Sequence, residues 1–372
     1  MHFKNSLLTW CVSGLLVGQT LPGDVLLKKS VMAMYNYNYD VAITLSDSVK
    51  TQYPNNPGAP LVWVGAKWLK AQAYLSTEQS SDTLQKCLNY VLPIYETLVE
   101  KFPTDPIYQL YYGSAKGLSA RISLGEKNWL QTFIRAYSGF TLIQDAYKND
   151  PELKDALLPF GIVEYYAGIS PTVIQWLVDL YGLNPSTDSG LEKIEQAALM
   201  SDWAWIESKG ILAFLYLWVE DQPSWALIHT KDLVKQFPNN YYFYILHLES
   251  LIRTGDALEA NLYIKMNDDK YALLTDRQKS WYNAYVLYEK SLFEYEFGDL
   301  DTSLIYIQQV IDGYDAELDI ILGNAYLHMG KIHDLLGQRM DAILAYQQCI
   351  DLDNFSSAMN HANQYIHSPF SR

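Results

Sequence analysis

The chain has 372 residues, with 42 Asp+Glu against 27 Lys+Arg, a formal net charge of −15. Hydrophobic residues make up 49% and charged residues only 19%, which is apolar mass enough for a large core and excludes a disordered chain. The acidic balance, with no Lys/Arg-rich run, excludes indiscriminate binding to nucleic acid or docking on anionic lipid.

Residues 1–20 read as a secretory signal. A short basic region (His2, Lys4) precedes an apolar run from Leu7 to Val17, too short to span a bilayer, and Gly18 supplies a small residue before a cleavage site near 18–20. A buried first helix is the alternative, since Gly-Gln-Thr-Leu-Pro-Gly also stops a helix. Cys11 does not suit a lipid anchor, because bulky Trp10 precedes it and it lies inside the apolar run. Removal of residues 1–18 loses Lys4 and takes the charge to −16, leaving Cys87 and Cys349, which form neither a disulfide framework nor a metal site. No other run approaches 18 apolar residues, so no membrane span is expected, and the leader implies a secreted or periplasmic protein.

From about residue 24 onward apolar residues recur at spacings of three and four, which predicts helices throughout. Breaks fall at Tyr53-Pro54, Phe102-Pro103, Asp150-Pro151 and Phe237-Pro238; the first three prolines are 49 and 48 apart. A proline lacks the backbone donor and biases its predecessor away from helix, so each marks a stop. A recurring helix pair is the signature of an α-solenoid.

At 324–354, Tyr326, Met329, Gly330 and His333 fall on a first helix, Gly337 at a turn, and Ala342, Tyr346 and Cys349 on a second. Gly330 and Ala342 are small where two helices would cross, Tyr346 is placed to pack into the next pair, and Gly337 relieves the turn. The stretch resembles a tetratricopeptide repeat, with Asn354 where that family usually has proline and Cys349 in place of a small alanine. Residues 284–313 fit the template through Ser291, Gly298, Ser303, Ile307 and Val310. Counting back from the prolines puts Ala42, Ser46 and Val49, then Gly139, Ile143 and Ala146, then Ala226, Thr230 and Leu233 at the second-helix positions.

The expected organisation is a signal at 1–20, a helical-repeat region at 21–354 and a capping helix with a frayed tail at 355–372. The repeat region divides into about eight units, near 23–56, 57–105, 106–151, 152–202, 203–238, 239–270, 276–313 and 318–354, with an additional helix near 152–167. The fold class is all-α, an α-α superhelix. A second, shorter resemblance runs through Leu157-Leu158-Pro159-Phe160-Gly161, Tyr165-Tyr166, Ser170-Pro171, Gly182, Gly190-Leu191-Glu192 and Ala197-Ala198. It is similar to the central motif of tetratricopeptide-class inclusion-body clearance proteins and related bacterial proteins, which implies an adaptor.

Familiar catalytic patterns are missing from the sequence. Gly323 to Gly330-Lys331 has the wrong spacing for a phosphate loop, and no HExxH or GxSxG occurs. His328 and His333 are five apart, about 140° round a helix, so they point different ways. His361 and His367 have no acidic neighbour in sequence, and Cys87 and Cys349 have no partner histidine and read as packing residues. Asp268-Asp269 reads as a loop before a helix beginning near Thr275, not as a calcium loop. No catalytic residue, cofactor or metal ligand is therefore assigned, and the chain reads as a non-enzymatic scaffold.

In tetratricopeptide arrays the first helix of each pair lines the concave face, and the resemblance carries its positions onto this chain residue by residue. The unit at 239–270 supplies Tyr242, Ile245, Glu249, Ile252 and Arg253, and that at 276–313 Tyr285, Tyr288, Leu292, Tyr295 and Glu296. The last supplies Asn324, Leu327, Lys331, Asp334 and Leu335. A Lys/Asn carboxylate clamp, as in cytosolic chaperone cofactors of the family, is not visible at these positions. The expectation is a Tyr-rich groove for a protein or peptide partner, tyrosine combining contact area with a hydroxyl at small entropic cost. Two rival readings are an envelope or outer-membrane assembly accessory factor and a glycan- or solute-binding protein, the latter resting on Trp203, Trp205, Trp218 and Trp225 meeting in one pocket.

Overall fold

The computed structural model describes residues 21–125, 128–169, 186–314, 319–354 and 356–372. The signal at 1–20, with Cys11, and Ser170, Pro171 and Gly182 of the second resemblance lie outside them. Among the described residues there is no strand. Pair 1 is α1 (Asp24–Tyr35) with α2 (Tyr39–Gln52), and pair 2 is α3 (Gly58–Tyr74) with α4 (Thr77–Lys101). Pair 3 is α5 (Pro106–Leu118) with α7 (Trp129–Asn149), joined through the short α6 (Ala120–Gly125). Pair 4 is α8 (Leu157–Ile169) with α9 (Thr187–Met200), and pair 5 is α10 (Trp205–Trp218) with α11 (Pro223–Gln236). Pairs 6, 7 and 8 are α12 (Tyr241–Arg253) with α13 (Ala257–Ala272), α14 (Asp276–Phe297) with α15 (Leu300–Asp312), and α16 (Ile320–Leu335) with α17 (Arg339–Asp351). A final α18 (Ser357–His367) packs on pair 8. The architecture is an all-α superhelix of tetratricopeptide-like pairs, each helix packing on its neighbours in sequence.

Local chemistry sets the ends of these helices. α2, α4, α7 and α11 stop two residues before Pro54, Pro103, Pro151 and Pro238. Ser76 with Gln79 and Thr275 with Gln278 form capping boxes at the starts of α4 and α14, satisfying donors that the first turn leaves free. Asp105 caps α5 from in front of Pro106, which has no N–H to orphan. The buried stripes follow the spacing that the prolines set: Ala42, Ser46 and Val49 are fully buried, as are Ala226, Thr230 and Leu233, and Ser303, Ile307 and Val310. Each set occupies positions i, i+4 and i+7 of a second helix, one face of a 3.6-residue period.

Helices cross where side chains are smallest. A Cβ on Gly113 would come within 2.7 Å of the Gly139 carbonyl oxygen, so α5 and α7 touch backbone to backbone. Gly161 and Gly190 do the same for α8, the helix expected near 152–167, and α9. In pair 8 the space beside Gly330 is filled by the ring of Tyr346, which packs within its own pair and also onward against the next helix, α18. Its hydroxyl reaches Asp334 at 2.8 Å and its ring meets Tyr365 of α18. Gly337 turns the chain at φ +73°, a conformation that a Cβ disfavours. Asp268 and Asp269 lie inside α13, not in a loop, with Asp268 3.8 Å from Lys290.

The superhelix winds tightly enough for pair 1 to meet pairs 5, 6 and 7. Tyr35 Oη donates to Glu207 at 2.7 Å, and its ring lies 5.5 Å from Phe237 and 6.0 Å from Phe243. Tyr37 Oη reaches Asn240 and Tyr282, both at 3.3 Å, while Asn240 Nδ2 donates to the Tyr35 carbonyl at 2.9 Å. Pair 2 joins this seam through Thr275 to the Ala73 carbonyl and Arg277 to Thr77 at 2.9 Å. From the other end, Asn324 Nδ2 reaches the Trp218 carbonyl at 3.3 Å and Ser357 N–H the Val219 carbonyl at 3.0 Å. The inner face of the array is consequently filled with protein over much of its length.

Candidate functional site

Closure of the superhelix buries most of the residues expected to line an open groove. Tyr285, Tyr288 and Tyr295 on α14 are 9%, 4% and 8% exposed, and Glu249 on α12 is fully buried. Tyr242 is half-buried, its ring edge-on to Trp218 at 6.3 Å, and Tyr285 lies 5.7 Å from the same indole. These rings are core, in place of the continuous tyrosine groove that the first-helix positions suggested. Trp218 donates its indole N–H to Glu249 Oε2 at 2.5 Å, and Arg253 Nη1 donates to Glu249 Oε1 at 2.9 Å.

Among the described residues a cavity of about 210 Å³ opens on the inner face between α12, α14, α16 and α18. Its walls are Arg253 from α12, Tyr288, Tyr295 and Glu296 from α14, Asn324, His328 and Lys331 from α16, and Asp221, Ser357 and His361 from outside the first helices. Six of the ten residues expected at the site therefore meet here: Arg253, Tyr288, Tyr295, Glu296, Asn324 and Lys331. Tyr242, Glu249 and Tyr285 lie behind it in the core, and Asp334 lies one turn further along α16, gripped by Arg339 at 3.0 Å.

Asp221 departs from the first-helix rule. It sits in the turn between α10 and α11 at φ 56°, a strained setting for a residue with a Cβ. Its carboxylate receives Arg253 and lies 3.7 Å from His361 Nδ1, so His361 has an acidic neighbour 140 positions away in sequence. Nothing local in the sequence marks this meeting, because it depends on α18 folding back over pair 5.

The cavity is polar and of mixed charge. Arg253 is held by Glu249 and Asp221 and donates to the Leu217 carbonyl at 2.6 Å. Among the described residues no carboxylate lies within ion-pair distance of Lys331, and its ammonium lies 5.2 Å from the Phe370 ring centre and 5.8 Å from that of Tyr365. Burial lowers its pKa, opposed by the more distant charges of Asp221 and Glu296. His328 is buried against Tyr295 at 4.7 Å and Tyr288 at 6.2 Å, and burial pushes its pKa down to about 3, so it is neutral. His333 turns away to Gln338 at 2.6 Å.

Two further groups lie outside this wall. Glu289 is buried, and burial, followed by the charge of Glu249 and a hydrogen bond to it, raises its pKa well above the usual carboxylate range. Cys87 and Cys349 are buried and unpaired, and burial pushes the Cys349 thiol up to about 12, as suits packing residues. Among the described residues no three His, Cys, Asp or Glu side chains are placed to hold a metal ion, and no helix is long and apolar enough to cross a membrane.

The four tryptophans do not share a pocket. Trp203 packs beside Leu27 and Lys28, Trp205 stacks on Phe237 at 6.1 Å, Trp218 is buried, and Trp225 is half exposed beside Tyr216. The compact aromatic pocket that a glycan-binding reading requires is therefore not formed by these residues.

No known family model matches the sequence, and no curated protein matches it. Among solved structures the chain is similar to a human IFIT1 dimer with PPP-AAAA, at 10% identity and a TM-score of 0.42, over 92% of this chain and 83% of that one. It is similar to yeast Tom70 at 10% identity and a TM-score of 0.35, over 93% and 90% of the two chains. It is also similar to the TPR domain of P58(IPK), at 11% identity and a TM-score of 0.25, over 95% and 100%. At such scores the assignment of fold rests on the helix pairs of the chain itself.

Proposed function

We propose that the protein is a non-enzymatic, protein-binding helical-repeat scaffold of the cell envelope. The observation that carries this reading is the convergence of Arg253, Tyr288, Tyr295, Glu296, Asn324 and Lys331, from three successive first helices, on one inner-face opening. At about 210 Å³ the opening admits one or two side chains of a partner and not a long peptide laid in a groove. The rim offers an exposed acid, Glu296, and a cation, Lys331, seated against aromatic rings, so charge orients the partner while the tyrosine edges supply contact area. The apolar run at Leu7 to Val17 supports export.

The test places a photo-crosslinking residue at Glu296 of the full chain in its native cell envelope. A reproducible protein adduct is expected, lost when Lys331→Glu reverses the charge across the opening. An absence of protein adducts, or adducts indifferent to Lys331→Glu, overturns the scaffold reading. The compartment has its own readout: the exported protein should begin near residue 19, and a product starting at Met1 contradicts the leader.

A further inference from the structure

The segment after α18 is not a loose end. The Ser368 N–H closes the helix on the Gln364 carbonyl at 3.0 Å, and the chain then turns onto the inner face of pairs 7 and 8. The Phe370 N–H donates to Asp334 Oδ2 at 2.8 Å. The Phe370 ring packs edge-on against Tyr365 at 5.2 Å, with the Lys331 ammonium 5.2 Å from its centre. Two residues on, the Arg372 guanidinium lies 4.2 Å from the centre of the Tyr295 ring and donates to the Tyr295 carbonyl. Tyr295 and Lys331 are cavity walls, and Asp334 is the next inner-face position on α16.

Ser368, Pro369, Ser371 and Arg372 are all exposed and Phe370 is half-buried, so the segment lies on the surface and can leave without opening the core. Its hold consists of two hydrogen bonds, from the Phe370 N–H to Asp334 and from Arg372 to the Tyr295 carbonyl, one ring against an apolar and cationic seat, and one guanidinium over an aromatic face. Each contact is worth roughly 0.5–2 kcal/mol, a sum that a competing segment can match.

We infer that residues 368–372 are a built-in occupant of the partner surface, and that a partner enters as an extended segment carrying an aromatic residue and, two positions later, an arginine. The inference rests on the scaffold reading and gives its partner a chemistry. In an extended segment residues i and i+2 point the same way, which is how Phe370 and Arg372 reach α16 and α14 together. The aromatic ring takes the seat between Lys331 and Tyr365, its N–H finds Asp334, and the guanidinium covers Tyr295. The tethered segment competes at an effective concentration on the order of millimolar, so the parent chain shields the surface.

The experiment uses the full chain and a synthetic peptide of sequence His-Ser-Pro-Phe-Ser-Arg, followed by two-dimensional NMR. In the double variant Phe370→Ser/Arg372→Ser the peptide should shift the signals of Lys331, Asp334 and Tyr295 saturably, with an affinity at least about tenfold above that for the parent. Arg372→Ala alone, at an exposed position that leaves the core untouched, should give an intermediate response. No saturable shift in either variant, or equal binding to variant and parent, overturns the inference. A failed crosslinking experiment alongside a positive titration would instead reject the envelope scaffold and leave this surface standing.

Discussion

Glu289 is the residue at which burial and charge conflict most sharply. Its carboxyl group lies in the core beside Glu249, which Trp218 and Arg253 already occupy, and its raised pKa reflects burial first and then the cost of a second negative charge beside Glu249. A carboxyl whose folded pKa lies above its unfolded value contributes stability below the unfolded value of 4.5, and that contribution is lost as pH rises through the folded pKa. Glu289→Gln is uncharged at every pH, so it should raise the melting temperature at pH 7.5 by about 1–4 °C and change it little at pH 4.5. Calorimetry at both pH values checks this; an equal shift at both removes the ionisation argument. The buried imidazoles act with the opposite sign. His247 and His328, lowered by burial to about 4 and about 3 from 6.5, withdraw stability as pH falls below 6.5 because the unfolded chain binds their protons first.

Among the elements, α12 shows what the sequence reveals and what it withholds. Asn240 is legible as a cap, standing before an apolar run, and its Oδ1 accepts from the Phe243 N–H at 3.1 Å. The same side chain also donates to the Tyr35 carbonyl and accepts from Tyr37 Oη, over 200 residues away, and no local pattern announces that. Proline spacing identifies the buried stripes of the second helices because a stop signal and a 3.6-residue period are local properties. The openness of the inner face depends on the angle between successive pairs, summed over five of them, and that angle has no single residue behind it. Asn240→Ala should therefore cost about 1–3 kcal/mol, losing a cap and a seam together. Asp256→Ala, which removes only the exposed cap of α13 on the Glu259 N–H at 3.1 Å, should cost at most half as much. Urea melts measure both, and equal costs would show that the seam contributes nothing.

At the scale of the molecule, closure changes how the array should behave as a unit. In an open solenoid each pair touches only its neighbours, so terminal pairs fray independently. Here pair 1 is bonded to pairs 5 and 6 through Tyr35, Tyr37, Glu207 and Asn240, so its release must disturb the middle of the chain. Hydrogen exchange should show the amides of α1 opening with nearly the same free energy as those of α12. Exchange of α1 that is faster by orders of magnitude, with α12 unaffected, would return the molecule to nearest-neighbour behaviour. The same closure separates the first-helix positions: Arg253, Glu296 and Lys331 line the cavity, while Tyr285 is walled in.

The seam also fixes an order of events during synthesis. Tyr35 and Tyr37 precede their partners Glu207, Asn240 and Tyr282 by 172 to 245 residues. At roughly 5–20 residues per second, a ribosome takes on the order of 10–50 s to deliver the other side of that contact. For that interval Tyr35 and Tyr37 lack the partners they meet across the seam, and the nascent chain depends on whatever shelters those rings.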